Sequence, residues 1–435
     1  MNAGGFVSVA VATILLAGCA VYHTAPLPKS PDLAPALPRQ TLTMARATRF
    51  ALAHNPDLAV ARRAAALAAA RAGLAGDLPD PTLSAGFDHP TTTDVGYVNA
   101  YTFGLAQELT ALATHPAAAD QARAERDRAA LGLVWSQWRL AAATAGLYAR
   151  VWYGQRQTAA LGRTATLLAA QARHSGAALA RRDVTLARVG ADLVAAQDAG
   201  DRHAGALRAL AADRAALRAL LGVAPTARLR LADPGLPPLL PRAVLVGALS
   251  RLRRVRPDLL ALQAGYRARN AGLRAAILEQ FPGLALGLNR AGDTSGVQSE
   301  GLTLGVTLPL FGRAQDRVRV ARADRAHLRA VYQARLDQAT SESWRLWRAS
   351  VRIAKRVAGL EATLPRLRRM ARAGTAAYRS GELAPALYVE LAGDLATRQE
   401  EIAHLKTEAW ADAIALRLVL AVKPLIPATI AKGRG

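Results

Sequence analysis

Leu302-Thr303-Leu304-Gly305-Val306-Thr307-Leu308-Pro309-Leu310 alternates without a slip, leucine and valine at the even positions and small or polar residues between them. A period of two is the signature of an extended strand with one greasy and one small or polar face. Just upstream, Leu284, Leu286 and Leu288 alternate with Ala285, Gly287 and Asn289. Two further alternating runs lie earlier: Leu83, Ala85 and Phe87 against Ser84, Gly86 and Asp88, then Tyr101, Phe103 and Leu105 against Thr102, Gly104 and Ala106. Apolar outside and polar inside, over roughly 9–11 residues, is what a transmembrane barrel strand requires. The same alternation suits a half-buried strand of a soluble sheet. The inner faces here, however, are glycine, threonine and alanine, with few large side chains to fill a soluble core. The intervening loops, Asp88 to Gly96 and Arg290 to Ser299, are polar apart from Val95 and Val297.

The pairs of runs are copies of one another. Pro56-Asp57-Leu58 recurs as Pro257-Asp258-Leu259, Pro81-x-Leu83-x-x-Gly86 as Pro282-x-Leu284-x-x-Gly287, and Phe103-Gly104-Leu105 as Leu304-Gly305-Val306, all about 201 residues apart. A period this long is a duplicated half-protein rather than a solenoid repeat. Each half reads helix, strand pair, long helix, helix. Four strands cannot close a barrel alone, and open edges in lipid cost several kcal/mol per unsatisfied backbone group. Closure therefore calls for other copies of the chain, and three would supply twelve strands.

The long helices flank these strands, from about His115 to His174 and from Gly312 to Tyr378. At 1.5 Å per residue each reaches roughly 90–100 Å, a coiled-coil length. Each is expected to turn back near a glycine, at Arg173-His174-Ser175-Gly176 and at Tyr378-Arg379-Ser380-Gly381, because glycine enters the left-handed region without a clash. Trp135-x-x-Trp138 and Trp344-x-x-Trp347 recur at an offset of about 209 and read as helix-packing residues. Thr41 or Thr43 caps the first helix, which runs to about Ala75 with a kink or short break at Pro56, and Leu78-Pro79-Asp80-Pro81 ends it.

Composition agrees with a helical chain. Aromatic residues are 5% of its 435 residues, while alanine, leucine and arginine dominate. The formal charge is +24, but only five of the 56 basic residues are lysines and the arginines are spread along the helices. That distribution argues against a nucleic-acid tail and for an arginine-biased composition. One cysteine excludes a disulfide framework and a thiolate zinc site. The eight histidines are scattered, and methionine occurs only at positions 1, 44 and 370, which excludes a copper thioether cluster. There is no glycine-rich phosphate loop and no nucleophile elbow. Asp80, His89, Asp94 and Asp293 read as hydrated loop residues. No catalytic residue, metal site or cofactor is expected.

The N-terminus is an address. Val7 to Leu16 is a nearly continuous apolar run, too short to span a bilayer, and it leads into Leu16-Ala17-Gly18-Cys19. This resembles a bacterial lipobox, although no basic residue precedes Phe6; an ordinary secretory signal with an incidental cysteine is the other reading. The resemblance implies cleavage before Cys19, diacylglycerol and palmitoyl attachment there and, with Ala20 following, sorting to the outer membrane. Several acyl chains at about 0.8 kcal/mol per buried methylene hold a protein durably. The division that follows is a signal at 1–18, an extended proline-rich tether at 19–40, a first repeat at 41–224 with strands near 82–88 and 98–109, a proline-rich linker at 225–241, a second repeat at 242–423 with strands near 282–290 and 300–310, and a tail at 424–435.

With the duplication, Tyr378-x-x-Gly381 at a hairpin tip and the strand exit Pro309-Leu310-Phe311-Gly312-Arg313, the chain resembles the TolC-like outer membrane factors over nearly all of its mature length. Leu78-Pro79-Asp80-Pro81-x-Leu83 looks most like the heavy-metal efflux branch. The resemblance implies a homotrimer in the outer membrane, with a twelve-stranded barrel continued by a periplasmic α-helical tunnel. It implies a periplasmic adaptor and an inner-membrane transporter, of RND type, as partners, and export of small molecules or metal ions. Hairpin tips at Arg173, Gly176, Tyr378 and Gly381 would contact the adaptor. Glu390 stands where the family carries a gating acid, and three copies would form a carboxylate ring; a solvated helix-surface glutamate is the plainer reading. Arg173 stands where the first tip would carry its tyrosine. A type I secretion duct and a non-pore periplasmic scaffold are the alternatives.

Overall fold

A computed structural model describes residues 22–33, 41–91, 96–309 and 311–422. Cys19, the signal segment, part of the tether and the tail from 423 onward lie outside the described residues.

The first half opens with α1 (Met44–His54) and α2 (Pro56–Leu74). Thr43 Oγ1 caps α1 by accepting from the Arg46 N–H at 3.3 Å. The break is at Asn55, whose Oδ1 accepts from Leu58 N–H at 3.0 Å to cap α2, with Pro56 in its first turn. Strands β1 (Thr82–Asp88) and β2 (Ala100–Glu108) follow, then α3 (Leu109–Ala180) and α4 (Leu186–Leu221). The second half repeats the order with α5 (Arg242–Leu249), α6 (Leu252–Val255), α7 (Pro257–Leu278), β3 (Gly283–Gly292), β4 (Gln298–Thr307), α8 (Arg313–Arg379) and α9 (Pro385–Leu420). Helix α3 has 72 residues and α8 has 67, so α3 is on the order of 110 Å long.

Two expectations are corrected. Helix α3 begins at Leu109 rather than near His115 and carries Pro116 inside it. It also does not turn at Gly176. Arg173 and Gly176 are interior helical positions, and the chain reverses after Ala180, with Arg182 in the left-handed region at φ 64°. A glycine costs an exposed helix only about 1 kcal/mol, which a helix of this length carries easily. Thr185 starts α4 by accepting from Arg188 N–H through its side chain.

The helices pack as one layer. Near the sheet, α2 packs on α3, α3 on α7, and α7 on α8; toward the tips, α4 packs on α3, α3 on α9, and α9 on α8. Two apolar clusters lie at the waist. Leu42, Leu58, Tyr148, Leu217 and Leu221 are at the heart of one, and Leu245, Leu259, Leu346, Leu416 and Leu420 of the other.

The linker between halves is clasped to this waist. Tyr148 Oη lies 2.6 Å from the Leu42 carbonyl and 2.7 Å from that of Ala232, and it accepts from Ala232 N–H at 2.8 Å. Tyr153 Oη and Trp410 Nε1 both donate to the Gly235 carbonyl at 2.7 Å. Trp347 Nε1 donates to Leu240 O at 2.9 Å. Burial, helped by the nearby Asp233 carboxylate, pushes both phenols up to about 12. The tryptophan repeat is a packing feature here: Trp344 and Trp347 meet edge to face at 6.0 Å, and the Arg256 guanidinium lies over Trp135 at 5.2 Å.

Candidate pore sheet and hairpin tips

The four strands form one antiparallel sheet in the order β1-β2-β3-β4. Its registers sort the side chains into two consistent faces. Leu83 pairs with Leu105, Leu105 with Leu288 and Leu288 with Leu302; likewise Ala85 pairs with Phe103, and Leu286 with Leu304. Phe87 and Phe103 meet edge to face at 5.6 Å on this side. Leu83, Phe87, Leu302 and Leu304 are exposed, so a continuous apolar face has no cover among the described residues. Toward the loop end this face finishes in an ion pair, Arg290 with Glu300 at 3.3 Å. On the other face Ser84 pairs with Gly104, Gly104 with Asn289, and Asn289 with Gly301. That face is small and polar. Among the described residues β1 and β4 each have only one partner, so both outer edges present unpaired backbone groups.

Strand β1 keeps its expected limits and β2 lies within its own, while the second pair shifts by a few residues: β3 starts at Gly283 and runs on to Gly292, and β4 starts at Gln298 and stops at Thr307. Asp293 turns this hairpin by accepting from the Ser295 hydroxyl and from Val297 and Ser295 N–H, and these bonds, the hydroxyl's foremost, hold its carboxyl below the usual carboxylate range. Among the described residues no helix is long and apolar enough to cross a membrane, and no group of histidine, cysteine and acidic residues would hold a metal.

The free flanks of the helical layer also carry apolar stripes. Val60, Leu67 and Leu74 of α2 are exposed at seven-residue spacing, as are Leu186, Leu193 and, two heptads on, Leu207 of α4. On the opposite flank α8 exposes Val320, Val331, Val351 and Met370. The heptad spacing on α2 and α4 is the seam geometry of helices packed on other helices; the exposed apolar residues of α8 do not follow it.

The second tip falls where the sequence places it. Tyr378 is in the last turn of α8, Gly381 follows in the left-handed region at φ 81°, and Glu382 N–H donates to Ala377 O at 2.8 Å. Tyr378 stacks on Tyr388 of α9 with centroids 4.6 Å apart and planes 3° apart. The helices are close here, because a Cβ on Gly374 would stand 2.9 Å from Leu391 Cδ1. Farther up, hydrogen bonds from Arg356 and Arg398 hold the Glu401 carboxyl below its usual range, and Lys406 pairs with Glu361 at 2.6 Å. Glu390 is exposed on α9, in the second turn from the tip.

At the first tip the same hydrogen bonds recur: Arg182 N–H donates to Leu179 O, and Asp183 N–H to Ala178 O. Leu179 is thus the counterpart of Tyr378, and Arg182 that of Gly381. Arg173 and Gly176 do not belong to this turn, and the sequence reading missed Arg181 to Thr185. Its available signal was Thr185, a capping residue type directly ahead of the apolar Leu186 and Val189.

No protein-family model matches the chain, and no curated protein sequence matches it significantly. Solved structures do. A membrane protein from Pseudomonas aeruginosa is 20% identical with a TM-score of 0.70, covering 92% of this chain and 99% of its own. The outer membrane protein VceC of Vibrio cholerae is 20% identical with a TM-score of 0.67, over 87% of this chain and 95% of its own. CusC, described for its transmembrane channel formation, is 17% identical with a TM-score of 0.64, over 91% of this chain and 99% of its own. At these identities the likeness speaks to architecture, and with the sheet and hairpins above it gives this chain the fold of a TolC-like outer membrane factor.

Proposed function

We propose that the chain is the outer-membrane exit duct of a tripartite efflux system. The sheet is the observation that supports this most: an apolar face without cover and two unpaired edges are stable only when lipid meets the face and other strands meet the edges. In a homotrimer, β1 of one copy pairs with β4 of the next and closes a twelve-stranded barrel. The same rotation sets the stripes of α2 and α4 against α8 of the neighbour, a head-to-tail contact that closes into a ring. The hairpins of three copies then make a tunnel whose tips reach a periplasmic adaptor, itself fed by an inner-membrane transporter of RND type.

In this reading Cys19 carries the lipid anchor and Glu390 lines the closing end. Residues around Arg181 to Thr185 and Tyr378 to Gly381 meet the adaptor. The duct works by opening and passage and needs no catalytic group. Its cargo is small molecules or metal ions chosen by the pump. Deleting the gene and measuring tolerance to a panel of metals, dyes and antibiotics tests this, with lost tolerance to at least one class expected. Unchanged tolerance together with disappearance of a secreted protein from the medium would instead support a protein-secretion duct of the same fold. Membrane fractionation of Cys19→Ala separates anchor from barrel: the variant stays in the outer membrane if the barrel holds it there, and is released by salt if the lipid alone did.

A further inference from the structure

The small polar face of the sheet carries two ionisable side chains per chain among the described residues, and both are acids. The registers decide this. Asp88 lies opposite Ala100, and Glu108 lies opposite Ala285, which in turn faces Gly305. Between these levels that face holds only glycine, alanine, serine, threonine and Asn289. The one arginine of the strands, Arg290, is on the apolar face and is already paired with Glu300. Asp88 ends β1 at the loop end of the sheet, and Glu108 ends β2 where α3 begins. The two acids therefore mark opposite ends of the same wall, roughly 25 Å apart at strand rise. Both are exposed, and among the described residues neither forms an ion pair.

Resting on the three-chain barrel, we infer that Asp88 and Glu108 form two carboxylate rings, one at each mouth of the exit barrel, which make it prefer cations although the chain as a whole carries +24. Rings of acidic side chains are a recurring means of cation preference, and the barrel wall offers no opposing cation. Three charges on the order of 10 Å from an ion in water raise the local cation concentration several-fold unscreened, and about two-fold at 0.1 M salt. The preference is therefore modest and grows as salt falls. The arginine-rich helices below would favour anions if the whole-chain field set the selectivity. The two sources predict opposite signs.

The test is reversal potential in planar bilayers across a potassium chloride gradient, using the full chain. Wild-type channels are expected to favour potassium by about two-fold or more near 0.1 M salt and to lose most of the preference near 1 M. In a Glu390→Gln background, which removes the acid at the closing end, Asp88→Asn with Glu108→Gln should bring the ratio to unity or below, and Glu108→Lys alone should turn it toward chloride. A wild-type channel that favours chloride, or a doubly neutralised one that keeps the full potassium preference, would overturn the rings while leaving the duct standing. Bilayers that conduct neither with the wild-type chain nor with Glu390→Gln, which unlocks the closing end, would overturn the duct and the rings together.

Discussion

At the foot of the first half the residue after the last helix is Gly222 at φ 68°, and at the foot of the second it is Ala421 at φ 51°. The hydrogen bonds around them match: Val223 N–H donates to Arg218 O, and Val422 N–H to Arg417 O. At the tips the assignment is reversed, with Arg182 in the first half and Gly381 in the second. The left-handed turn is thus common to both halves, and it does not by itself demand glycine. Crowding does so at one place only. A Cβ on Gly222 would stand 2.5 Å from the His54 carbonyl oxygen, whereas one on Gly381 would meet nothing within 4 Å.

The halves also anchor their closing helix differently. Asn55 Nδ2 donates to Leu220 O at 3.1 Å, and its counterpart Arg256 donates to Val419 O at 3.2 Å. Arg256 brings a charge with it, and Asp258 meets that charge in a two-pronged pair at 2.6 and 2.9 Å with both side chains buried. Arg335 adds a third contact to Asp258 at 3.0 Å. The first half achieves the same tie with a neutral amide.

The largest expected effect follows from that contrast. Asp258→Ala leaves Arg256 buried without its carboxylate and should cost about 3–5 kcal/mol, against about 1–2 kcal/mol for Asn55→Ala; thermal or denaturant unfolding of the detergent-solubilised protein compares them. Equal losses would break the distinction between a charged and a neutral tie. Next, Gly222→Ala should destabilise by about 2 kcal/mol or more, because backbone strain is joined by a clash with backbone. Ala421→Gly should be neutral or stabilising by up to about 1 kcal/mol.

The linker clasp divides the halves by pH. Tyr148 and Tyr153 of the first half have folded values of about 12, above the ordinary tyrosine value of about 10. Their contribution is complete below pH 10 and drains away as pH rises toward 12, because the unfolded chain ionises first. An alkaline loss on the order of 1–2 kcal/mol per tyrosine is expected, and it should vanish in the Tyr148→Phe, Tyr153→Phe variant. Trp347→Phe removes the bond to Leu240 and should leave the pH dependence as it was. Smallest of all are the tip exchanges. Arg182→Gly should gain, and Gly381→Ala should lose, about 1 kcal/mol or less, read as protease resistance of each hairpin.

These contrasts also explain what the sequence made legible. The strands were readable because a sheet with one apolar face and one small polar face forces strict alternation from Leu83 to Val306. The break at Pro56 was readable because Asn55 has a capping side chain and Pro56 a fixed φ. The first tip was not, because the rule that glycine ends helices points to Gly176, while the chain turns on an arginine six residues later. Asp88 stood in the first alternating run and Glu108 near the end of the expected strand at 98–109, but only the registers show that no cation among the described residues shares their face.

The central claim is that the two open edges of the sheet are closed by other copies. Inserting one cysteine at Ser84 in β1 and a second in turn at Ser299, Gly301, Thr303 or Gly305 in β4 tests it directly, with oxidation in the membrane read on non-reducing gels. Within one chain these strands are three spacings apart, about 14 Å, too far for a disulfide. The account predicts that at least one register yields a covalent species of three chains and nothing larger. No cross-linked product at any register, or a ladder that continues past three, would contradict it.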